Sequence, residues 1–283
     1  MNSIINILDF KKILSEKDLV IFDARAGKDA HQNYLEKHIK GARFLDLEKD
    51  LAEVPENAAN GGRHPLPSLE KFRKTLENSG VDEHSHIVVY DDKNGANAAA
   101  RLWWMLKSFG LENVQVLDGG FLAAEKENVE FSSGEEIFEK GNLNERTHWK
   151  FPVSTIDDVE KEFEENSATV IDVRDAYRYR GESEPIDWVA GHIPKAINIP
   201  FSENLDENGN FLTSEILREK YAELLQEKSK KLIIHCGSGV TACHTILALT
   251  SAGFEIPNLY VGSWSEWSRS GKPIAKEVWA DKD

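Results

Sequence analysis

Cysteine is scarce in this sequence. Only two occur in 283 residues, Cys236 and Cys243, which is too few for a disulfide framework and suits a reducing compartment. No second pair of cysteines or histidines stands at the spacing of metal ligands. We therefore expect no metal site built on cysteine.

Positive charge is also scarce. Lys and Arg number 34 against 49 Asp and Glu, which gives a formal net charge of −15 at pH 7. A protein that binds nucleic acid needs clustered basic residues to displace counterions, so we expect no nucleic-acid partner. The N-terminal segment MNSIINILDFKKIL has no basic region ahead of an apolar stretch, which fits neither a secretory signal nor a membrane span. We expect a cytoplasmic protein with no membrane partner.

Four segments of the first half return in the same order in the second half. The pairs are VIFDAR (20–25) and VIDVRD (170–175), HIKGARFLDL (38–47) and HIPKAINIPF (192–201), HIVVYDD (86–92) and LIIHCGS (232–238), and VLDGGF (116–121) and LYVGSW (259–264). The alternative is that any two α/β halves contain similar strand-like runs by chance. Hydrophobic periodicity alone, however, does not reproduce both the order of four segments and the residues of their turns. The pattern predicts a duplicated domain.

Each half alternates short β-rich runs with helical stretches. In the first half, IVVY (87–90) is followed by NAAARLWWMLKSFG (97–110) and then by VQVL (114–117). This βαβ pattern predicts an α/β fold in which each domain is a mostly parallel sheet flanked by helices. Gly110 and Gly253 each follow a predicted helix and precede the next strand, a position that favours a residue able to adopt a positive φ. We predict an N-terminal domain over 1–131, a polar linker over 132–150 and a C-terminal domain over 151–283.

Cys236 is the candidate nucleophile. The sequence around it predicts a buried strand from Leu232 to His235, a tight loop, and a helix from about Val240 to Ser251. In that arrangement the loop amides and the helix N-terminus form an anion site that favours thiolate over thiol. The residues expected to line this site are Gly237, Ser238, Gly239, Val240 and Thr241. The alternative is that Cys236 only fills a buried strand end, as we expect of Cys243 in the helix.

Several motifs resemble the tandem-domain rhodanese family, the thiosulfate and 3-mercaptopyruvate sulfurtransferases. They are CGSGVTAC (236–243) after a strand, GHIP (191–194), YVGSWSEW (260–267), and the WWM and LDGG segments of the first half. The resemblance implies two rhodanese-like domains and a two-step reaction. The Cys236 thiolate would take a sulfane sulfur from 3-mercaptopyruvate or thiosulfate, form a persulfide, and pass the sulfur to cyanide or to a thiol acceptor such as thioredoxin. No metal or organic cofactor is required.

The first half departs from this pattern. Aligning VVYD with IIHC places Asp91 where Cys236 stands, so we expect the N-terminal domain to be non-catalytic. The resemblance implies that this domain lends His64, in the segment GGRHPLP, to work with Ser238 and with an acidic residue at Glu48. The alternative for His64 is an ordinary histidine in a surface loop.

The resemblance also implies a residue that binds the donor. Arg178 matches a family arginine that holds the donor's carboxylate or sulfonate, a task suited to a guanidinium. Arg180 is a second candidate or a salt-bridged residue. Mercaptopyruvate enzymes of the family often carry a further arginine, and the aligned position here is Ile186 or Asp187, so its absence weakens the mercaptopyruvate assignment. Thiosulfate-preferring members carry a basic pair in the loop, and Gly237 and Ser238 replace that pair here, which favours mercaptopyruvate. The donor stays open.

Two other functions are compatible with such a loop. Cysteine phosphatases of the Cdc25 type need an arginine to clamp phosphate at the position that Ala242 occupies here. A persulfide carrier would hold sulfur on Cys236 for a partner without rapid turnover of small donors. Hydrolysis of p-nitrophenyl phosphate that depends on Cys236 would indicate a phosphatase. Negligible thiocyanate production from either donor, with a stable persulfide on the protein, would indicate a carrier.

Overall fold

The computed structural model describes residues 2–165, 167–222 and 231–277. Within these ranges the N-terminal half forms a five-stranded sheet of β1 (Ile4–Ile5), β2 (Leu19–Asp23), β4 (Ala42–Phe44), β5 (His86–Tyr90) and β6 (Val114–Leu117), in the order β1-β6-β5-β2-β4. A short antiparallel pair joins β3 (His38–Ile39) to β7 (Phe131–Ser132). The helices of this half are α1 (Ile7–Ile13), α2 (Ala30–Glu36), α3 (Leu69–Asn78), α4 (Ala98–Phe109) and α5 (Gly120–Lys126).

The C-terminal half repeats this topology. Its strands are β8 (Val153–Ser154), β9 (Ala168–Asp172), β10 (Ile197–Asn198), β11 (Lys231–His235) and β12 (Asn258–Tyr260), and they form the sheet β10-β9-β11-β12-β8. Its helices are α6 (Ile156–Glu165), α7 (Ala176–Arg180), a 3₁₀ turn at Phe201–Asn204, α8 (Ser214–Ala222), α9 (Thr241–Ser251) and α10 (Ser263–Trp267). Every pairing within the two five-stranded sheets is parallel. The predicted α/β class and internal repeat are confirmed.

The central strands are apolar because helices cover both faces of each sheet. All five residues of β5 are buried, as expected for a parallel strand inside an α/β layer structure. The two glycines predicted at helix ends have the positive φ expected of them. Gly110 caps α4 with φ 113°, and Gly253 lies just beyond α9 with φ 84°.

The two domains share one hydrophobic core. Every residue of α4 except Lys107 is buried, including Trp103 and Trp104, and a helix that is apolar on all sides belongs in the interior. α4 packs against α9 across the domain boundary, and one cluster of buried side chains runs through both halves. The carboxyl ends of the two sheets are therefore held in a fixed relation.

The chain between β7 and β8 has no helix or strand and lies against the N-terminal domain. The Gly141 amide donates to the Glu77 carbonyl oxygen at 2.8 Å, and Leu143 is buried. The domain boundaries near 131 and 150 stay predictions. In the described ranges, no helix is both long and apolar enough to cross a membrane.

Candidate active site

Cys236 is the first residue after β11, the middle strand of its sheet. Its side chain is almost fully buried, its amide donates to Ser263 Oγ at 3.1 Å, and its carbonyl accepts from the Trp264 amide at 3.0 Å. The next carbonyl, of Gly237, accepts from the Ser265 amide at 2.9 Å. The GSWSEW segment at the start of α10 thus fixes the backbone on which the candidate nucleophile stands.

Gly239 allows the loop to turn from β11 into α9. Its φ is +74°, and a Cβ there would lie 2.6 Å from the carbonyl oxygen of Val261. An L side chain would meet both the strain of the left-handed region and a backbone clash. The tight loop predicted from the sequence therefore depends on this glycine.

The corresponding loop of the N-terminal domain surrounds the carboxylate of its own first residue, Asp91. Asp91 follows β5 as Cys236 follows β11, and its carboxylate is fully buried. Oδ1 accepts from the amides of Lys93 (2.8 Å) and Gly95 (2.9 Å), and Oδ2 from those of Asn97 (3.0 Å) and Ala99 (3.2 Å). A strand-to-helix loop of this fold can thus direct four amides at one carboxylate, as such backbone nests do. Burial nevertheless raises the pKa of Asp91 to about 6, so the amides offset only part of the cost of burying the charge.

His64 reaches the catalytic loop from the other domain. Its Nδ1 lies 2.8 Å from Ser238 Oγ, so the two side chains are in hydrogen-bond contact, and their joint role in catalysis stays a prediction. Burial, together with the charges of Arg101 and Arg63, lowers the pKa of His64 to about 4. The imidazole is therefore neutral near pH 7 and can accept a proton through a ring nitrogen.

The loop that carries His64 is docked on α10. The Gly61 amide donates to Glu266 Oε1 at 2.9 Å, and the Arg63 amide donates to Ser265 Oγ at 3.0 Å. A Cβ on Gly62 would lie 2.4 Å from the Gly262 carbonyl oxygen. Close contact between the two domains therefore explains the glycine at position 62, whereas Gly61 is required by its φ of +87°.

Glu48 lies at the same opening but is not joined to His64. Both residues line one cavity, yet across the described ranges no hydrogen bond connects them. The Glu48 amide donates to Asp46 Oδ1 at 2.9 Å, and the side chain is exposed. Its role as an acidic partner stays a prediction.

Arg178 is buried beside the loop, and its role in donor binding stays a prediction. Its guanidinium pairs with Glu184 at 2.7 Å and with Asp187 at 3.5 Å. Two arginines that sequence reasoning missed, Arg63 and Arg269, also pair with Asp187. A Cβ on Gly237 would lie 3.2 Å from Arg63 Nη2 and 3.5 Å from Arg178 Nη2, so two guanidinium groups flank the residue that follows the nucleophile.

Arg180 and Cys243 have different surroundings. Arg180 donates from Nε to Glu182 at 2.6 Å, which agrees with the salt-bridged alternative, and its donor-binding role stays a prediction. Cys243 is fully buried in α9 with Sγ 3.4 Å from the Gly239 carbonyl oxygen. Burial raises the pKa of Cys243 to about 12, so this cysteine packs as a neutral thiol.

A cavity of about 400 Å³ opens between the domains beside His64, and neither residues 236–241 nor Arg178 are among those that line it. Its walls come from both halves of the chain: Glu48, Val54, Pro55, Glu56, Asn57, Ala58, Arg63, His64, Trp188 and Arg269. Its size suits a small ligand. Trp188 is 77% exposed and lies over the Arg269 guanidinium at 4.9 Å. Across the described ranges, no group of three or more His, Cys, Asp or Glu side chains could hold a metal ion.

Comparison with known proteins agrees with this geometry. The model of the rhodanese-like domain matches twice, at residues 7–127 and 155–270. The chain is 39% identical over 269 residues to a probable 3-mercaptopyruvate sulfurtransferase of Pseudomonas aeruginosa, covering 93% of this chain and 94% of that protein. It is 35% identical over 240 residues to the putative thiosulfate sulfurtransferase SseB of Mycobacterium tuberculosis, covering 85% and 83%.

A solved structure shows the same architecture over the whole length. The crystal structure of SseA from Escherichia coli, described as a 3-mercaptopyruvate sulfotransferase, superposes with a TM-score of 0.78 at 30% identity. The match covers 94% of this chain and 100% of that one. The chain therefore belongs to the tandem-domain rhodanese family of sulfurtransferases.

Proposed function

We propose that the chain transfers a sulfane sulfur from 3-mercaptopyruvate, through a persulfide on Cys236, to a thiol or to cyanide. The observation that supports this most is the convergence on one loop of a buried cysteine, a neutral His64 bonded to Ser238, and the guanidinium groups of Arg63 and Arg178. The cavity lined by His64, Arg63 and Glu48 has room for a small keto acid.

In the proposed first step, the Cys236 thiolate attacks the sulfur of 3-mercaptopyruvate. An S–S bond forms, the C–S bond breaks, and its electron pair passes to carbon as the enolate of pyruvate. The proton of the substrate thiol ends on that carbon, so thiolate and mercaptopyruvate give persulfide anion and pyruvate. Ser238 and the neutral His64 form the proposed proton relay, with Glu48 as its acidic neighbour.

In the proposed second step, an acceptor attacks the outer sulfur of the persulfide. The S–S bond breaks and its electron pair returns to Cys236 as thiolate. Cyanide leaves as thiocyanate, and a thiol, such as that of thioredoxin, leaves as a persulfide. The amides from Gly237 to Thr241 hold the negative charge in both states, in the way that four amides hold the Asp91 carboxylate.

The choice of donor rests on the charges around the loop. Residues 237–241 contain no basic side chain, in contrast to the basic pair of thiosulfate-preferring members. The proposed contacts with the carboxylate of mercaptopyruvate come from Arg178, with Arg180 as a second candidate. A planar guanidinium fits the two oxygens of a carboxylate. Thiosulfate is the second candidate because the Mycobacterium tuberculosis relative is described as a putative thiosulfate sulfurtransferase. The proposed location is the cytoplasm, where a free thiolate persists.

The test is a side-by-side measurement of kcat/KM for 3-mercaptopyruvate and thiosulfate with cyanide as acceptor. We expect mercaptopyruvate to be preferred and Cys236→Ser to be inactive with both donors. A preference for thiosulfate would reverse the donor assignment. Negligible thiocyanate from either donor, with a stable persulfide on the protein, would indicate a carrier. Cys236-dependent hydrolysis of p-nitrophenyl phosphate would indicate a phosphatase.

A further inference from the structure

Arg63 connects the cavity between the domains with the loop of Cys236. Its side chain lines that cavity, and its Nη2 lies 3.2 Å from the position that a Cβ on Gly237 would occupy. Residues 236–241 do not line the cavity themselves. A small molecule that lies in this cavity and directs its sulfur at Cys236 therefore contacts Arg63.

Arg63 also has hydrogen-bond donors to spare. Its Nη1 donates to Asp187 Oδ1, whereas no acceptor among the described residues binds its Nε or its Nη2, and 25% of the side chain is exposed. Arg178 differs, because its Nε and its Nη2 both donate to Glu184, at 3.1 and 2.7 Å. Of these two guanidinium groups, Arg63 thus has the larger capacity to bind a ligand.

The space in front of Gly237 is bounded by guanidinium nitrogens. The φ of Gly237 lies outside the left-handed region, so the backbone does not require glycine there. The three atoms nearest to a Cβ built on Gly237 are Arg63 Nη2 at 3.2 Å and Arg178 Nη2 and Nη1 at 3.5 and 3.8 Å. Two guanidinium groups thus converge on one point beside the nucleophile. A carboxylate has the two acceptor oxygens that such donors fit.

The charges around Asp187 leave an excess of positive charge. In the part of the chain that the structure describes, four guanidinium groups share three carboxylates whose side chains are buried. The ion pairs are Arg63, Arg178 and Arg269 with Asp187, Arg178 and Arg174 with Glu184, and Arg174 with Asp172. A partly buried charge without compensation is unfavourable. In the proposed function the loop amides hold the charge of Cys236, so the excess is available to an anionic ligand.

The acidic residues of the cavity do not remove this excess. Glu48 and Glu56 line the cavity, but both are exposed to solvent. Within the described ranges, neither of them forms an ion pair with Arg63. Exposed charges are screened by water and salt far more than buried pairs are. An anion beside Arg63 is therefore attracted more by the guanidinium groups than it is repelled by these carboxylates.

We propose that Arg63, contributed by the N-terminal domain, binds the carboxylate of the sulfur donor together with Arg178. The inference rests on the proposed function and names a second residue that recognises a 2-keto acid. The segment after Arg180, residues 181–190, contains no arginine, so the C-terminal domain offers no second guanidinium there. Asp187 holds Nη1 of Arg63 and thereby leaves Nη2 and Nε to the ligand.

The first test measures the Kd of 3-mercaptopyruvate by calorimetry on the full-length Cys236→Ser protein, which lacks the nucleophile. Adding Arg63→Gln should raise the Kd about tenfold, the equivalent of one lost hydrogen bond to a charged group. Arg63→Lys keeps the charge and should recover part of the affinity. Arg73→Gln is the matched control, because Arg73 is 20% exposed and also pairs with one carboxylate, that of Glu77, and it should leave the Kd unchanged.

Three results of this titration would overturn the proposal. They are an unchanged Kd for Arg63→Gln, an equal rise for Arg73→Gln, and the absence of measurable binding to the Cys236→Ser parent.

A second measurement keeps Arg63 and covers the case in which Arg63→Gln does not fold. Phenylglyoxal modifies accessible guanidinium groups, and peptide mass analysis gives its rate of reaction at Arg63 and at Arg73 in the Cys236→Ser protein. Pyruvate, which has the same carboxylate and no thiol, should slow the reaction at Arg63 about tenfold when present at about ten times its Kd. The rate at Arg73 should not change. Equal rates at Arg63 with and without pyruvate would overturn the proposal.

The two measurements are independent of turnover, because neither requires sulfur transfer. Thiocyanate production by the wild type, together with an unchanged Kd for Arg63→Gln, would reject only the role of Arg63. A raised Kd for Arg63→Gln, together with no thiocyanate from the wild type, would reject only the proposed function.

Discussion

Replacing Asp91 with Asn tests whether the four amides of its loop need two accepting oxygens at this position. The carboxylate accepts four backbone hydrogen bonds, two at each oxygen. An Asn side chain keeps one accepting oxygen and directs an NH₂ group at the remaining two amides. Each buried donor left without a partner costs about 1–3 kcal/mol, so the free energy of unfolding should fall by about 2–6 kcal/mol.

The assay is urea unfolding at pH 7.5, with kcat/KM measured on the folded enzyme. Asp92→Asn is the matched control, because Asp92 Oδ1 has no hydrogen-bond partner, and it should change stability by less than about 1 kcal/mol. Turnover of folded Asp91→Asn should stay close to the wild-type value, since Asp91 lies in the loop of the other domain. If Asp91→Asn were as stable as the wild type, the four amides would not require two accepting oxygens, and the comparison of this loop with the loop of Cys236 would lose its support.

Three further predictions concern the catalytic side. Arg178→Lys keeps the charge but loses one of the two parallel hydrogen bonds of the guanidinium, so it should raise the KM for mercaptopyruvate about tenfold while the rate of persulfide transfer to cyanide stays unchanged. An unaltered KM would remove Arg178 from the donor site. Because His64 has a pKa of about 4 in the folded state, below its value of about 6.5 when unfolded, the free energy of unfolding should fall as the pH drops from 6.5 to 4. Urea unfolding over that pH range should show a smaller fall for His64→Gln than for the wild type, and equal falls would contradict the lowered pKa. Gly239→Ala should abolish activity or folding, and a fully active variant would show that the loop does not need this glycine. Gly271→Ala is the control and should be tolerated in both assays, because its φ is +76° but no atom lies within 4 Å of the new Cβ.

The order of elements was predictable because hydrophobic periodicity and turn residues are local signals. The helix expected over 97–110 is α4, and the strand expected before Cys236 is β11, which begins one residue earlier, at Lys231. The repeated motifs correspond to strands in equivalent positions of the two sheets.

The remaining parts of the site come from contacts between distant segments. Arg63 meets Asp187, which also pairs with Arg269, only because the loop carrying His64 docks on α10. No local sequence pattern predicts that docking. Arg101 did leave a signal, since a charged residue inside the apolar run AAARLWWM requires a buried partner. Its position against Gly239 depends on the packing of α4 on α9, which composition does not reveal. The tryptophans of GSWSEW belong to the core, where Trp264 and Trp267 are fully buried.

The most direct test of the central claim is the mass of the protein after brief incubation with 3-mercaptopyruvate and removal of small molecules. The wild type should gain the mass of one sulfur atom, located by peptide analysis at Cys236, and should lose it on addition of cyanide with release of one equivalent of thiocyanate. Cys236→Ser should gain nothing. Sulfur retained by Cys236→Ser, or located on Cys243, would contradict the assignment of Cys236 as the persulfide-forming nucleophile.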